Sequence, residues 1–122
     1  MPAAAAFEEL CSLAREAALV ESVEAMLGWD ERTYMPPAAG EYRAEQMTFL
    51  SGLTHKKRTS KRLGELLGEL AASDLGRDPH SEAGATIREL KRQYDKRIKL
   101  PQSLVEELTR ASVLGQDRKS VV

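Results

Sequence analysis

The sequence is poor in the residues that build cross-linked or reactive sites. It contains one cysteine, Cys11, and two histidines, and aromatic residues make up only 5% of the chain. A single cysteine excludes an internal disulfide and is typical of a reducing compartment, so we expect a cytoplasmic protein. The shortage of aromatic residues favours packed helices, because sheets are enriched in aromatic and β-branched side chains.

Long apolar stretches are also missing. No run approaches the ~18 residues of a transmembrane helix. The first ten residues, MPAAAAFEEL, reach Glu8 and Glu9 without the basic start of a signal peptide. Charged residues make up 30% of the 122 positions, yet the net charge is only −1. We therefore predict a globular, soluble domain without a membrane partner.

Apolar residues recur every three or four positions over most of the chain, which is the spacing of amphipathic helices. Prolines and turn-forming residues interrupt this pattern at several points. The predicted fold class is all-α, with four to five antiparallel amphipathic helices in a small bundle. The first predicted helix runs from Ala3 to about Trp29, and the second from near Gly40 into the polar run His55–Ser60. The third begins at a cap, either Thr59 or Ser60. The fourth runs from the loop Ser73–Glu82 to about Lys99, and the last begins at Ser103.

The last predicted helix has a signal at its start and loses its pattern at its end. Ser103 followed by Glu106 fits a capping box, in which the two side chains satisfy each other's backbone amides. After Leu114 the segment GQDRKSVV has no helical periodicity. We therefore predict a helical domain over residues 1–114 and an irregular, frayed tail over residues 115–122.

The residue patterns of common catalytic sites are missing from the sequence. His55 and His80 each lie beside a predicted loop, and neither belongs to an H-E-x-x-H zinc motif. There is also no Gly-x-Ser-x-Gly elbow for a nucleophilic serine and no glycine-rich phosphate loop. We therefore predict no catalytic residue, no metal ligand and no cofactor in this chain.

Two basic segments raise the question of nucleic-acid binding. Residues 55–62 carry five cations without an acid, and residues 88–99 carry six cations against Glu89 and Asp95. A row of cations can neutralise phosphates, but no aromatic residues are interleaved for stacking on bases. The cations also fill the polar side of helices whose apolar spacing already explains the pattern. We interpret both rows as solvated or docking helix surface and do not expect a nucleic-acid partner.

One short stretch, LGWDERTYMPPAAG at residues 27–40, concentrates unusual residues. It holds the only tryptophan, an Asp-Glu-Arg run and a Pro-Pro pair that cannot continue a helix. One interpretation is a structural joint in which Trp29 seals the corner where the chain reverses; the other is a ligand-contacting site. The candidate residues, with a cleft-facing role left open, are Trp29, Asp30, Arg32, Thr33, Tyr34, Met35, Pro36, Arg43 and Glu45.

Two separated blocks of residues carry a pattern more specific than helical spacing. The first block contains Leu27-Gly28-Trp29-Asp30, Thr33, Met35-Pro36, Gly40 and Arg43-Ala44-Glu45-Gln46. The second contains Ile87-Arg88-Glu89-Leu90, Tyr94-Asp95, Lys99-Leu100-Pro101 and Leu104-Val105-Glu106-Glu107. Together they resemble the N-terminal region of the carboxypeptidase Taq family of thermostable zinc metallocarboxypeptidases, over roughly Phe7 to Ser112.

The resemblance implies a role that the isolated residues do not reveal. Members of this family are several times longer, and they bind zinc through an H-E-x-x-H helix and a further Glu, none of which occurs here. Their N-terminal helices form part of a wall or lid over the substrate cleft. We therefore expect a lid-like region that is inactive alone and whose partner is the missing catalytic region. Peptide substrates then belong only to full-length relatives.

Two further expectations concern the state of the chain. The helix after Pro101 stops in mid-course compared with the family, so we expect a truncated or frameshifted reading frame or a chain cut at the boundary of the lid, in preference to a stand-alone module. The alternative to a peptidase fragment is a non-enzymatic helical module. Such a module would self-associate as a homo-oligomer or dock on a partner through apolar faces left exposed on its helices.

Overall fold

The structure is a computed structural model, and it describes the backbone of residues 2–33 and 39–121 and the side chains of residues 2–30 and 39–115. Within these ranges the chain is helical and contains no strand, so the predicted all-α class is confirmed. No helix in these ranges is long and apolar enough to cross a membrane. The helices are α1 (Ala3–Thr33), α2 (Gly40–Arg58), α3 (Lys61–Ala71), α4 (Asp74–Arg77), α5 (Glu82–Arg97) and α6 (Gln102–Val121).

Three helical segments differ from the expected boundaries. The first helix continues past Trp29 to Thr33, since no proline stands between Ala3 and position 36. The second includes the basic run up to Arg58, because lysine and arginine are good helix formers even where the apolar periodicity fades. The predicted loop Ser73–Glu82 contains the single helical turn α4.

The last helix differs from the prediction at both ends. It begins at Gln102, and the amides of Leu104 and Val105 donate to the carbonyl of Pro101. Ser103 therefore lies inside the first turn, so the predicted capping box is wrong. The helix continues to Val121, so the segment predicted as an irregular tail is helical over residues 115–121. The single Gly115 costs only about 1 kcal/mol of helix propensity, and the Gln, Arg and Lys that follow are good helix formers.

The chain divides into two compact units. Unit 1 comprises Met1–Ala17 and Lys57–Leu100, and unit 2 comprises Ala18–Lys56 and Pro101–Val122. The long helix α1 contributes its first half to unit 1 and its second half to unit 2.

Unit 1 has a core of large aliphatic side chains. The four leucines of α3 follow the i, i+3, i+4, i+7 spacing and are all buried, so this helix presents one apolar stripe. The stripe packs with residues of α1 and α5. Ser60 caps α3 by accepting from the amide of Leu63 at 3.2 Å, which confirms one of the two predicted caps. The buried core consists of Ala6, Leu10, Leu63, Leu66, Leu67, Leu70 and Ile87.

Unit 2 buries a different kind of side chain from unit 1. Its buried side chains are mostly small or polar and include Ala44, Ser51, Thr54 and His55 of α2. His55 is 8% exposed inside α2, so its predicted position beside a loop is wrong. The large apolar side chains of this unit that remain exposed are Leu19, Val23, Met26, Trp29, Tyr42, Phe49, Leu104 and Leu108.

Candidate functional site

The residues of the first family-like block meet where the end of α1 packs against the start of α2. Arg43 donates from Nη1 to the carbonyl oxygen of Leu27 at 2.9 Å and from Nη2 to Oδ2 of Asp30 at 2.6 Å. The Arg43 side chain is 14% exposed and that of Asp30 is 41% exposed. One guanidinium therefore binds both a main-chain carbonyl and a carboxylate of the opposite helix, which fixes the two helices in register.

The end of α1 also meets α2 at Gly28, beside this ion pair. A Cβ added to Gly28 would lie 3.7 Å from Cε of Met47, which is ordinary van der Waals contact. Further along α2, Thr54 donates to Oε1 of Glu24 at 2.5 Å. Residues further along α2 contact residues earlier in α1, so the two helices are antiparallel.

The other candidate residues are not brought to this contact. Trp29 is 65% exposed, and the corner that it is expected to seal lies outside the described residues, so the joint interpretation of Trp29 stays a prediction. Glu45 is exposed on α2. The side chains of Arg32 and Thr33, and the whole of Tyr34, Met35 and Pro36, lie outside the described residues.

The sequence analysis missed a polar face on α2. Ser51, Thr54 and His55 are each less than 9% exposed. The buried atoms Nε of Arg43, Oε1 of Gln46 and Oγ1 of Thr48 have no hydrogen-bond partner among the described residues. The signal for this face was the recurrence of small side chains at helical spacing from Ala44 onward, which indicates a helix surface that packs closely against its neighbours.

Two carboxyl groups among the described residues have pKa values lowered by hydrogen bonds. Hydrogen bonds from Arg92 and Gln93 lower the pKa of Glu89 to about 2. A hydrogen bond from Arg62 likewise lowers the pKa of Glu9. A general acid or base works best with a pKa near the working pH, so both carboxyls are shifted in the wrong direction and serve as ion-pair partners.

The described residues also offer no place for the zinc ion that the family resemblance implies. No group of three or more His, Cys, Asp or Glu side chains in the described part of the chain is arranged to hold a metal ion. A catalytic zinc site needs three protein ligands and an open position for water or substrate. We therefore assign no catalytic step to these residues.

Comparisons with known proteins identify the family. The family model described as carboxypeptidase Taq (M32) metallopeptidase matches residues 9–118. Thermostable carboxypeptidase 1 of Thermus thermophilus is 37% identical over 107 residues, which cover 88% of this chain and 21% of the relative. The chain thus spans about a fifth of the length of the curated relative that it matches. It belongs to the carboxypeptidase Taq (M32) metallopeptidase family, as its two residue blocks indicated.

Proposed function

We propose that the chain is the N-terminal helical region of a zinc-dependent metallocarboxypeptidase and has no peptidase activity by itself. The observation that carries this proposal is the family match over residues 9–118, set beside the lack of a metal-ligand group in the described part of the chain. Zinc binding and the release of C-terminal amino acids would belong to the part of such an enzyme that lies outside the region matched by this chain.

The contact made by Arg43 supports a structural role within such an enzyme. The two ends of the first block, Leu27–Asp30 and Arg43–Gln46, are joined by the bonds from Arg43 to Leu27 and Asp30. These residues are therefore engaged in holding α1 against α2. We infer that this joint stiffens a helical wall or lid beside the substrate cleft, and that it acts by positioning the lid. The cytoplasmic location stays a prediction.

The first test is the activity of the purified chain. After incubation with zinc or cobalt, a peptide with a blocked N-terminus should release no C-terminal amino acid above the rate of a protein-free blank. Thermostable carboxypeptidase 1 under the same conditions provides the positive control. Metal-dependent release by the chain alone would contradict the proposal.

The second test is a chimera. In thermostable carboxypeptidase 1 the matched 107 residues are replaced by the corresponding residues of this chain, and metal-dependent release is measured. We expect a chimera that loads metal and cleaves the peptide. A chimera that folds and binds metal but releases nothing would argue against a shared role of the two N-terminal regions.

The role of the joint can be tested in the same chimera. We expect Arg43→Gln to raise KM or lower kcat several-fold, because the lid loses the contact that fixes α1 on α2. Arg88→Gln is the matched control, since Arg88 belongs to the second block but is exposed on α5. Equal effects of the two substitutions would remove the case for a special role of Arg43.

A further inference from the structure

The end of α5 and the turn that follows it form a shallow cavity on unit 1. The cavity is open to solvent and has a volume of about 530 Å³, which is within the range of small-molecule sites. Most of the described residues that line it are lysine or arginine, and none of them is aspartate or glutamate. Such a lining favours an anion as the ligand. We call it the basic cavity, and its lining residues are Arg92, Gln93, Lys96, Arg97, Lys99 and Leu100.

The positive charge of the basic cavity is only partly neutralised by its neighbours. Arg92 forms an ion pair with Glu89 at 2.7 Å. Lys96 and Lys99 form no ion pair with any described residue. The carbonyl end of a helix carries about half a negative charge, which disfavours an anion. Two uncompensated ammonium groups outweigh that half charge, so the cavity has a net attraction for anions.

The fold brings the two basic segments of the sequence to the same region of unit 1. Arg58 at the end of α2 and Arg97 at the end of α5 both line a small cavity beside Tyr94, and Arg97 also lines the basic cavity. The attraction of cations to a helix C-terminus acts within the last turn, where Lys96 and Arg97 lie. It does not account for Arg92, which precedes that turn, or for Lys99, which follows the helix.

The side chains of the basic cavity offer a ligand hydrogen-bond donors and almost no acceptors. Lysine and arginine can only donate. Gln93 has the one side-chain acceptor of the lining, and its Oε1 accepts from Arg97 at 3.1 Å while its Nε2 donates to Glu89 at 3.0 Å. The matching ligand therefore carries many acceptors and few donors. Phosphate oxygens meet this requirement, and lysine and arginine bind them through charge-assisted hydrogen bonds.

The length of the basic cavity indicates a ligand with several charges in a row. Arg92 and Lys99 are seven residues apart, which corresponds to roughly 10 Å at the helical rise of about 1.5 Å per residue. One phosphate group is too short to contact both ends, whereas linked phosphates can extend along the row. We propose that the basic cavity binds a short chain of linked phosphates, either free or as part of a nucleotide. The proposal does not depend on the proposed peptidase role.

An acidic peptide is a less suitable ligand for the basic cavity. Its carboxylates could pair with Lys96 and Lys99, but each of its main-chain amides is a donor that needs an acceptor. The single side-chain acceptor, on Gln93, is already engaged. A donor left without a partner on binding costs free energy. The hydrogen-bond inventory therefore favours phosphates over carboxylates on a polypeptide.

The first test is isothermal titration of the full 122-residue chain with tripolyphosphate. At about 50 mM salt we expect saturable binding with a dissociation constant on the order of 0.1 mM. Inorganic phosphate should bind about tenfold more weakly, because it contacts only part of the row. Salt at about 0.5 M should weaken both, since the site is open to solvent. Lack of saturable binding would overturn the proposal, as would equal binding of inorganic phosphate.

Paired substitutions separate the basic cavity from general attraction to positive charge. Replacing both Lys96→Gln and Lys99→Gln should weaken tripolyphosphate binding about tenfold or more. The matched control replaces Lys56→Gln and Lys61→Gln, two exposed lysines of the other basic segment that do not line the cavity. It removes the same charge and should bind like the unaltered chain, with far-UV circular dichroism confirming that both variants are folded. Equal weakening in the two double variants would contradict a site at the end of α5.

Competing ligands and chemical-shift mapping test what is recognised and where. Tripolyphosphate should shift the amide resonances of residues 92–100 most strongly, including the side-chain amide of Gln93. ATP, which carries the same chain of three phosphates, should bind with an affinity within about threefold of tripolyphosphate. A peptide of six glutamates should bind more weakly than either. Shifts centred on another part of the chain would refute the assignment, as would tighter binding of the peptide or a preference of more than about tenfold for ATP.

Discussion

At the scale of single residues, Arg43 shows how one side chain can fix the geometry of two helices. It reaches thirteen positions back to Asp30 and sixteen back to Leu27. Its side chain is 14% exposed, so water screens these bonds less than it screens the exposed ion pairs of α5. The Asp30 side chain is 41% exposed, so water still screens the ion pair from that side.

Replacing Arg43 should destabilise the chain measurably. We expect Arg43→Met to lower the free energy of unfolding by about 2 kcal/mol, because a largely buried, charged hydrogen-bond donor is lost and only the packing of its stem is kept. Arg88→Met, on the exposed side of α5, should change it by less than about 0.5 kcal/mol. Urea unfolding followed by circular dichroism measures both, and equal losses would contradict the joint.

The ion pair of Glu89 predicts a dependence on acid pH. The carboxylate accepts from Arg92 at 2.7 Å and from Gln93 at 3.0 Å, and the pKa of Glu89 falls from 4.5 to about 2. Since the folded pKa is the lower one, the stabilisation is fully present above about pH 5 and is lost as the pH falls towards 2. The group is exposed, so we expect a small effect that salt weakens.

The measurement is the thermal midpoint between about pH 2 and about pH 6. The unaltered chain should have a higher midpoint than Glu89→Gln at the upper end of this range, and the difference should shrink as the pH falls. Glu107→Gln, which alters an exposed glutamate of α6, is the control. A difference that grows on acidification would show that the sign is wrong.

At the scale of elements, α3 depends on its neighbours as much as on its own residues. It contains two glycines, which disfavour a helix by about 1 kcal/mol each relative to alanine. Its first glycine has a structural reason: the phenol ring of Tyr94 on α5 lies against Gly64, and a Cβ there would be 2.8 Å from Cζ of the ring. Nothing lies within 4 Å of a Cβ added to Gly68.

The two glycines of α3 should therefore respond differently to alanine. Gly68→Ala should stabilise the chain by about 0.5–1 kcal/mol, because the helix gains propensity without a clash. Gly64→Ala should gain nothing or lose about 1 kcal/mol, because the Tyr94 ring must move out of its contact. Thermal unfolding of both variants decides the matter. Equal stabilisation at both positions would mean that the Tyr94 contact has no energetic weight.

At the scale of the whole molecule, the two units bury different kinds of residue. Unit 1 has a continuous aliphatic core, whereas the buried side chains of α2 in unit 2 are small or polar. Large apolar burial is the dominant favourable term in folding. We infer that unit 1 supplies most of the stability of this chain, and that the outward apolar residues of unit 2 are suited to contacts with other protein surfaces.

Matched leucine substitutions test this division. Leu66 is 0% exposed in unit 1, and Leu108 is 61% exposed in unit 2. We expect Leu66→Ala to cost about 3 kcal/mol through lost transfer energy and the cavity that remains. Leu108→Ala should cost less than about 0.5 kcal/mol. Chemical unfolding compares the two, and similar losses would show that an exposed leucine of unit 2 contributes as much stability as a buried leucine of unit 1.

Local signals predicted the helices well and their ends less well. The leucine spacing of α3 and the Ser60 cap act within a few residues, so they were visible in the sequence. The burial of His55 and the continuation of α6 to Val121 were not visible. A polar residue becomes buried when a neighbouring helix covers it, and that neighbour can lie far away along the chain.

The contact between α1 and α2 was likewise predictable from the sequence only in part. The sequence alone determined the all-helical class and the family, because periodicity and residue blocks are properties of short segments. Only the tertiary structure decided that Arg43 binds Leu27 and Asp30 while Trp29 stays exposed. The direction in which each side chain faces depends on which helix packs beside it. That choice is fixed by contacts between distant residues, so it is settled only when the chain is folded.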